Sequence, residues 1–543
     1  MSSNNTSVNR RQFLKGSMVA GAAAATGVVG GLAPATAKAD TLPEKWDKEV
    51  DVVIVGTGHA GLTAAIAATD AGAKCLILEK MKKEEEGGNS KVSGNMWWTP
   101  APGMREQAIQ YVTALCYGLT PKDCIEALVD EQLKLNDWLQ TLGIRANPLG
   151  IFQPEHPELP GASAVRTWNN GRVGGGPALW TPLREQVSKR NVEVMYESPG
   201  KALIQLPSRE IAGIRAEVGG KPYFIKANKG VVLACGGFEF DFEMQKQFLP
   251  GWPIYCQGSP GNTGDGIRMA QQVGAQLWHM NNALAGLGGM VIPPAAPIPI
   301  PVNMGGGGRG GAPGATAGGY ICVDKYGKRF MSENQPSRHG FGQKEYLMFF
   351  DGINGALSRI PCYYIFDENT RTRSAIGPSS GGRGGPGGGG MGWFSNHPTY
   401  QWSRDNSAEI EKGWITKGET VAELASKLGM KELEATLTKY NENATKGVDP
   451  DFNRSRNGLV AIEKAPYYAV AVYPTMYNTQ GGPKRNAKCQ IVDPFEQPIP
   501  RLYSAGEMGS FWGWMYNGGG NNAECLCTGQ IAARNVVALK PLG

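Results

Sequence analysis

Residues 51–79 read DVVIVGTGHAGLTAAIAATDAGAKCLILE, an apolar strand, a G-x-G-x-x-G turn, an Ala-rich helix and a second apolar strand closed by Glu79. This order leaves little freedom of fold. The strand Val52–Val55 has to be buried on both faces, Gly56 makes the tight turn, Gly58 lets backbone approach a pyrophosphate, and Gly61 permits close helix packing. The pyrophosphate belongs at the helix N-terminus, beside His59 and Ala60, and Glu79 is placed to accept bonds from ribose hydroxyls, with Lys80 next to it. With 76 glycines in 543 residues, three spaced glycines carry little weight by themselves. The strand before them, the helix after them and the acid at the end of the second strand make the fingerprint of a dinucleotide site, without telling NAD from FAD.

A chain of this length exceeds one simple core and points to two domains, and its 41% hydrophobic content suffices for burial. The formal charge of +6 is modest and no run of five Lys/Arg occurs, so nucleic-acid binding is not expected. Asn9-Arg10-Arg11-Gln12-Phe13-Leu14-Lys15 precedes a weakly apolar stretch from Ser17 to Leu32, and Ala37-Lys38-Ala39 offers a cleavage site. Residues 1–39 therefore look like a twin-arginine export signal, a route that carries folded proteins. No other run of 18 apolar residues occurs, so the mature chain is expected to be soluble, in the periplasm or on the outer face of the cytoplasmic membrane. None of the ten cysteines forms C-x-x-C or C-x-x-C-H, so no metal, iron–sulfur or c-type haem site is expected.

Beyond the fingerprint, Gly87-Gly88-Asn89-Ser90-Lys91-Val92-Ser93-Gly94 is a polar Gly-rich loop able to wrap a ring-bearing cofactor, followed by helical periodicity from Met104 to Leu142. KGVVLACGGF (229–238) is another buried strand that runs through Ala234 into Gly236-Gly237, and Gly261–Gly266, with Asp265, opens another helix. From about 291 to 477 the character shifts, with Pro-rich 292–301, Gly-rich 304–319 and 376–392, and an amphipathic stretch from Glu419 to Ala444. The two Gly-rich tracts are near copies, expected as mobile surface loops in which Arg309 or Arg383 could meet an anion. Leu502–Glu507 returns to a strand with a turn, and a helix from Asn521 to Leu539 begins at Gly518-Gly519-Gly520-Asn521-Asn522. Free N–H groups there favour negative charge on a bound ring.

Together with GGNSKVSGN, VVLACGGF, GNTGDG, YGKRFMSE (326–333), KGVDPDFNR (446–454), APYYAVAVYPT (465–475) and LYSAGE, the chain resembles the fumarate reductase and succinate dehydrogenase flavoprotein superfamily. That superfamily includes 3-ketosteroid Δ1-dehydrogenases and exported gut-bacterial reductases. The resemblance implies an α/β fold, with a Rossmann-like FAD-binding domain in two segments (46–290 and 478–543) and an inserted α+β capping domain (291–477). Substrate would lie at their junction over the flavin. The cofactor-binding set it implies is Gly56, Gly58, His59, Ala60, Gly61, Glu79, Lys80, Gly88, Asn89, Ser90, Ser93, Gly94, Ala234, Gly236, Gly237, Asp265, Glu507, Asn521 and Asn522.

The catalytic positions depart from the family. The H-T-M-G-G motif of fumarate reductases, whose histidine binds a substrate carboxylate, is here Asn478-Thr479-Gln480-Gly481-Gly482, and a second substrate histidine expected near Gly286 is missing. The dicarboxylate clamp is dismantled, and fumarate is not the expected substrate. The family's proton-donating arginine follows K-R-F-x-N-E; here Arg338, one residue out of register, is the expected acid, and His339 is the substitute candidate because its pKa lies naturally near working pH. Tyr516-Asn517-Gly518-Gly519-Gly520 resembles the Y-x-x-x-G pattern with which ketosteroid dehydrogenases hold a carbonyl, so Tyr516 and the Gly520 N–H are the expected oxyanion donors.

The resemblance thus implies an exported FAD-dependent oxidoreductase acting on CH–CH groups. The expected reaction is reduction of a carbon–carbon double bond conjugated to a carbonyl or carboxylate by hydride transfer from flavin N5, in anaerobic respiration. Without a second fingerprint for NAD(P)H or a haem motif, electrons would come from a separate donor, a membrane quinol oxidase or a cytochrome. The alternatives are a ketosteroid-dehydrogenase-like desaturase of a ketone and a flavin electron-transfer module.

Overall fold

The computed structural model describes residues 42–171, 176–290, 299–302, 304, 318–333, 339, 344–378, 392–397 and 400–542. The export signal, Arg309, Arg338, Arg383 and most of the Gly-rich tracts lie outside the described residues. The apolar strand of the fingerprint is Lys48–Val55, and it runs parallel between Cys75–Leu78 on one side and Lys221–Leu233 on the other. Its alternate residues feed two cores. Val52 and Ile54 face one, Val50, Val53 and Val55 the other, and Val52, Val53 and Ile54 have no exposed surface. Burial on both faces is what a central parallel strand requires, and it explains the unbroken apolar run.

The C-terminal strand Pro498–Ser504 returns parallel to Lys221–Leu233, with Leu502 opposite Val231 and Ser504 opposite Leu233. The sheet order is thus 490–492, 498–504, 221–233, 48–55, 75–78 and 193–195, and a hairpin of Gly200–Gln205 and Ile211–Val218 extends it. Backbone bonds step across the carboxyl ends: Gly56 N–H to Leu78, Ala234 N–H to Val55 and Ala505 N–H to Leu233, all within 2.8–3.0 Å. Three ligand-facing turns therefore leave the sheet side by side, at the edge where open α/β sheets bind their ligands.

Two helices, His59–Asp70 and Gly520–Val537, start near this edge and pack on one face of the sheet, where Leu62, Ile66, Leu526 and Ile531 share a core with Val52, Ile54 and Val232. A Cβ at Gly529 would come to 2.6 Å from the Ala60 carbonyl oxygen, so glycine permits their close approach, and the two helices begin at two adjoining cavities. The periodic region 104–142 is two helices, Arg105–Leu115 and Lys122–Thr141, separated at Gly118 and Pro121. The amphipathic stretch near 419–444 likewise splits into Val421–Leu428 and Leu433–Lys446, the first ending on Gly429 at φ +68°.

A second sheet is organised around the long strand Tyr467–Thr479, which pairs antiparallel with Ala283–Met290, Cys362–Asp367 and Ile415–Gly418 and parallel with Tyr255–Cys256. Part of this sheet comes from chain preceding residue 291. Its faces are covered separately: Cys322, Phe366 and Val470 lie in one core, and Ile321, Ile365 and Ala469 in the other. The two quoted motifs 326–333 and 446–454 meet in a buried ion network, in which Arg329 pairs with Glu333 at 2.7 Å and Asp449 at 2.9 Å, and Arg454 joins Glu333 at 3.1 Å. Among the described residues, no helix is long and apolar enough to cross a membrane.

Candidate active site

Two adjoining cavities of about 780 and 680 Å³ open at the carboxyl ends of the main sheet, sharing Asn89, Ser90, Glu507 and Cys525 in their walls. The first is lined by Gly56, Gly58, His59, Ala60, Glu79, Lys80, Gly88, Asn89, Ser90, Ala234, Gly236, Asp265 and Glu507. Its shape is dictated by glycine. Gly56 adopts φ +107°, and a Cβ there would stand 2.5 Å from the Ala234 carbonyl oxygen; one on Gly61 would overlap the Gly56 carbonyl oxygen. Gly61 therefore packs the helix against the turn rather than lining the cavity.

At the helix N-terminus, no side chain caps Gly58, and the His59 N–H donates to Ser90 Oγ at 2.8 Å. Glu79 accepts from the Met81 N–H at 2.8 Å and from the Thr57 N–H and hydroxyl, which leaves lone pairs for further donors. Burial outweighs these bonds and lifts its carboxyl above the ordinary value. Lys80 pairs with Asp265 at 2.7 Å and bonds Thr263. Gly237 is not in the wall; its N–H donates to Glu507 at 3.1 Å.

His59 joins the two helix starts. Its Nδ1 lies 3.1 Å from Asn522 Oδ1, while Asn522 Nδ2 donates to the Met96 carbonyl at 2.8 Å. Since that amide oxygen can only accept, His59 carries its proton on Nδ1, and the buried Nε2 has no partner among the described residues. Burial lowers the His59 pKa to about 4. The unfolded chain therefore takes up a proton near pH 6.5 that the native chain refuses until about pH 4. Native stability is full above pH 6.5 and falls as pH drops toward 4, by about 3 kcal/mol from this group. In urea titrations of the apoprotein, His59→Gln should lose correspondingly less stability between pH 7 and pH 4.

The second cavity is lined by Asn89, Ser90, Ser93, Gly94, His339, Tyr516, Glu507, Asn521 and Asn522, together with Asn478 and Gly519. Gly519, at φ +86°, starts the C-terminal helix without a side-chain cap. Gly520 differs from its expected role. Its N–H donates to the Asn517 carbonyl at 2.7 Å, because the turn entering the helix closes on itself, and it packs against Trp512 and Tyr516 outside the wall.

His339 and Tyr516 come together, with ring centroids 4.9 Å apart. Behind His339 stands Glu155, whose role the sequence did not reveal. Its carboxylate lies 2.8 Å from His339 Nδ1, accepts the His339 N–H at 2.8 Å and accepts the Gly518 N–H at 2.7 Å. Asn517 Oδ1 accepts from the Glu155 N–H at 2.9 Å and from the Tyr111 hydroxyl at 2.8 Å, which fixes the loop carrying the acid. Burial pushes the Glu155 carboxyl up, and the charge and hydrogen bonds of His339 outweigh it, so that it sits below the ordinary value. Glu155 occurs in Gln153-Pro154-Glu155-His156-Pro157, a loop without periodicity, so no signal in the sequence marks it.

Sequence comparison accords with this geometry. A family model described as an FAD binding domain matches residues 51–523, and a twin-arginine translocation signal model matches residues 7–27. Urocanate reductase of Eggerthella lenta is 28% identical over 92% of this chain and 76% of its own length. The NADH:acrylate oxidoreductase of Vibrio harveyi is 26% identical over 85% of the chain, which spans about half (48%) of that longer protein. The fold is also that of 3-ketosteroid Δ1-dehydrogenase from Sterolibacterium denitrificans, with a TM-score of 0.73 and 22% identity over 90% of this chain and all of that one. The glycine-shaped cradle and the match over nearly the whole mature chain have one meaning: the protein carries a twin-arginine export signal and belongs to the FAD-binding oxidoreductase family defined by that domain, with FAD as its cofactor.

Proposed function

We propose that the protein reduces a carbon–carbon double bond conjugated to a carbonyl or carboxylate of a small molecule. The observation that carries this reading is the Glu155–His339 pair, set with Tyr516 in the wall of the cavity that adjoins the dinucleotide cradle. FAD, when bound, supplies the hydride. The chain supplies the proton and the polarising groups. With Glu155 on Nδ1, His339 delivers its proton from Nε2 to the α-carbon, and the Tyr516 hydroxyl donates to the substrate oxygen on which negative charge develops. The Gly520 N–H is committed to Asn517 and takes no part. Arg338, outside the described residues, is the competing acid. The proposed cofactor wall is the set of residues lining the first cavity, joined by Ser93, Gly94, Asn521 and Asn522 in the second.

The names of the urocanate and acrylate relatives support an unsaturated acid or a related enone as substrate. The same residues, run in reverse, would desaturate a ketone, and the proximity of Tyr516 to His339 favours that as the second reading. We place the mature chain in the periplasm or on the outer face of the membrane, with the capping domain at about 291–477 and electrons delivered by a separate quinol oxidase or cytochrome.

The test is to reduce the purified holoprotein anaerobically and mix it with enones, acrylates and unsaturated acids while following flavin reoxidation. Rapid reoxidation by one class is expected, and failure of every class would sink the reductase reading. Glu155→Gln should lower that rate about 10- to 100-fold by loosening the histidine, with FAD content unchanged. Stopped-flow absorbance and the flavin-to-protein ratio measure the two effects separately.

A further inference from the structure

Two acids of the cradle have no part in the chemistry above. Glu239 lies past Gly236-Gly237 in the segment that leaves the strand Lys221–Leu233, and Glu507 lies in the turn that leaves the parallel neighbouring strand Pro498–Ser504. Their neighbouring strands bring the two carboxyls to one place. The amide nitrogen of Asn89 lies 3.1 Å from Glu239 Oε1 and 3.2 Å from Glu507 Oε1, and that of Asn262 lies 3.3 and 3.2 Å from the same two oxygens. The Thr479 N–H adds a donor to Glu239 at 3.2 Å, and the Gly237 N–H one to Glu507 at 3.1 Å. Glu239 is 1% exposed, and its Oε2 has no partner among the described residues. Glu507 faces both cavities.

Two carboxyls that share the same amide donors away from solvent cannot both ionise readily, and they titrate as a pair. Burial first, and then the charge of Glu239, holds the Glu507 carboxyl well above its ordinary range; burial also raises Glu239. Among the described residues, the thiols of Cys256 and Cys525 feel the pair's charge, both pushed up by burial, while His59, Glu79, Lys80 and Asp265 share the first cavity's wall with Glu507 and His339 the second's. The donors against the pair are amides and backbone N–H groups, which orient a shared proton without replacing it.

We propose that Glu239 and Glu507 act as one proton-binding site of the flavin, holding a single shared proton while the cofactor is oxidised and taking a second when it is reduced. Negative charge brought into the cavity by reduction would raise the proton affinity of Glu507, which lines it, and through the shared Asn89 and Asn262 amides that of Glu239 behind it. Bound FAD would take up two electrons with the proton its own chemistry requires. One further proton moves from solvent water to a carboxylate oxygen of the pair, and no other bond changes.

This inference rests on FAD occupancy and not on the substrate, so its test uses none. Holoprotein with ¹³C-labelled glutamate is followed by infrared difference spectroscopy during reduction with dithionite, and the midpoint potential of the bound flavin is titrated against pH. The expected result is a protonated glutamate in the oxidised protein at pH 7, a second appearing on reduction, and one fewer proton per two electrons in Glu239→Gln than in the parent. Two ionised carboxylates in the oxidised protein, no gain on reduction, or an unchanged slope in Glu239→Gln would each overturn it. If that variant fails to fold, the infrared result on the parent protein decides by itself.

Discussion

Replacing His339 with alanine is expected to slow substrate-driven reoxidation of the reduced flavin by about 10²- to 10⁴-fold, the range carried by a positioned general acid. FAD content should be unchanged, since His339 is absent from the first cavity and is not one of the residues of the proposed cofactor wall. The loss should be specific to protonation. His339 is buried against Glu155 and Phe152, so its removal leaves a buried carboxylate whose only remaining donors among the described residues are the backbone N–H groups of His339 and Gly518. The double variant Glu155→Gln/His339→Ala should therefore recover stability but not rate, and thermal denaturation beside stopped-flow kinetics separates the two. Arg338→Ala, measured in parallel, should change the rate little. A collapse with Arg338→Ala and near-normal turnover with His339→Ala would transfer the acid role to the arginine.

Gly61→Ala should abolish FAD binding and destabilise the apoprotein by about 3 kcal/mol. The added Cβ overlaps the Gly56 carbonyl oxygen, which belongs to a turn itself held against the Ala234 carbonyl, so neither neighbour can give way without displacing the sheet. Gly72→Ala is the control. Unlike the helical Gly61 it has a positive φ, +85°, and a Cβ there meets nothing within 4 Å, so its cost is the backbone strain of about 1 kcal/mol alone, with full FAD content. Flavin-to-protein ratios and urea midpoints measured on the two variants distinguish a glycine required by close packing behind the cradle from a merely conformational one.

Much of the cradle was legible because its causes are local. Gly56, Gly58 and Gly61 are read from their spacing, since a tight turn, a close ligand approach and helix packing each forbid a Cβ at one defined position. The strand Val52–Val55 is read from its unbroken apolar run, because both of its faces are buried. Glu507 and the start of the C-terminal helix are read from the return of a strand–turn–helix pattern. Gly520 shows where such reading stops: its residue type fitted an oxyanion donor, but whether its N–H points to a ligand or to Asn517 depends on how the turn closes.

The sequence by itself determined that this chain builds a dinucleotide cradle behind an export signal, because short-range steric and apolar patterns leave no other fold for those segments. Only the tertiary structure decided which acids meet. Glu155 reaches His339 from a Pro-rich loop far away in sequence, and Glu239 meets Glu507 because two strands happen to be neighbours. Carboxylates carry no periodicity and no steric signature; what they do is set by the charge, donors and burial that long-range packing brings to them.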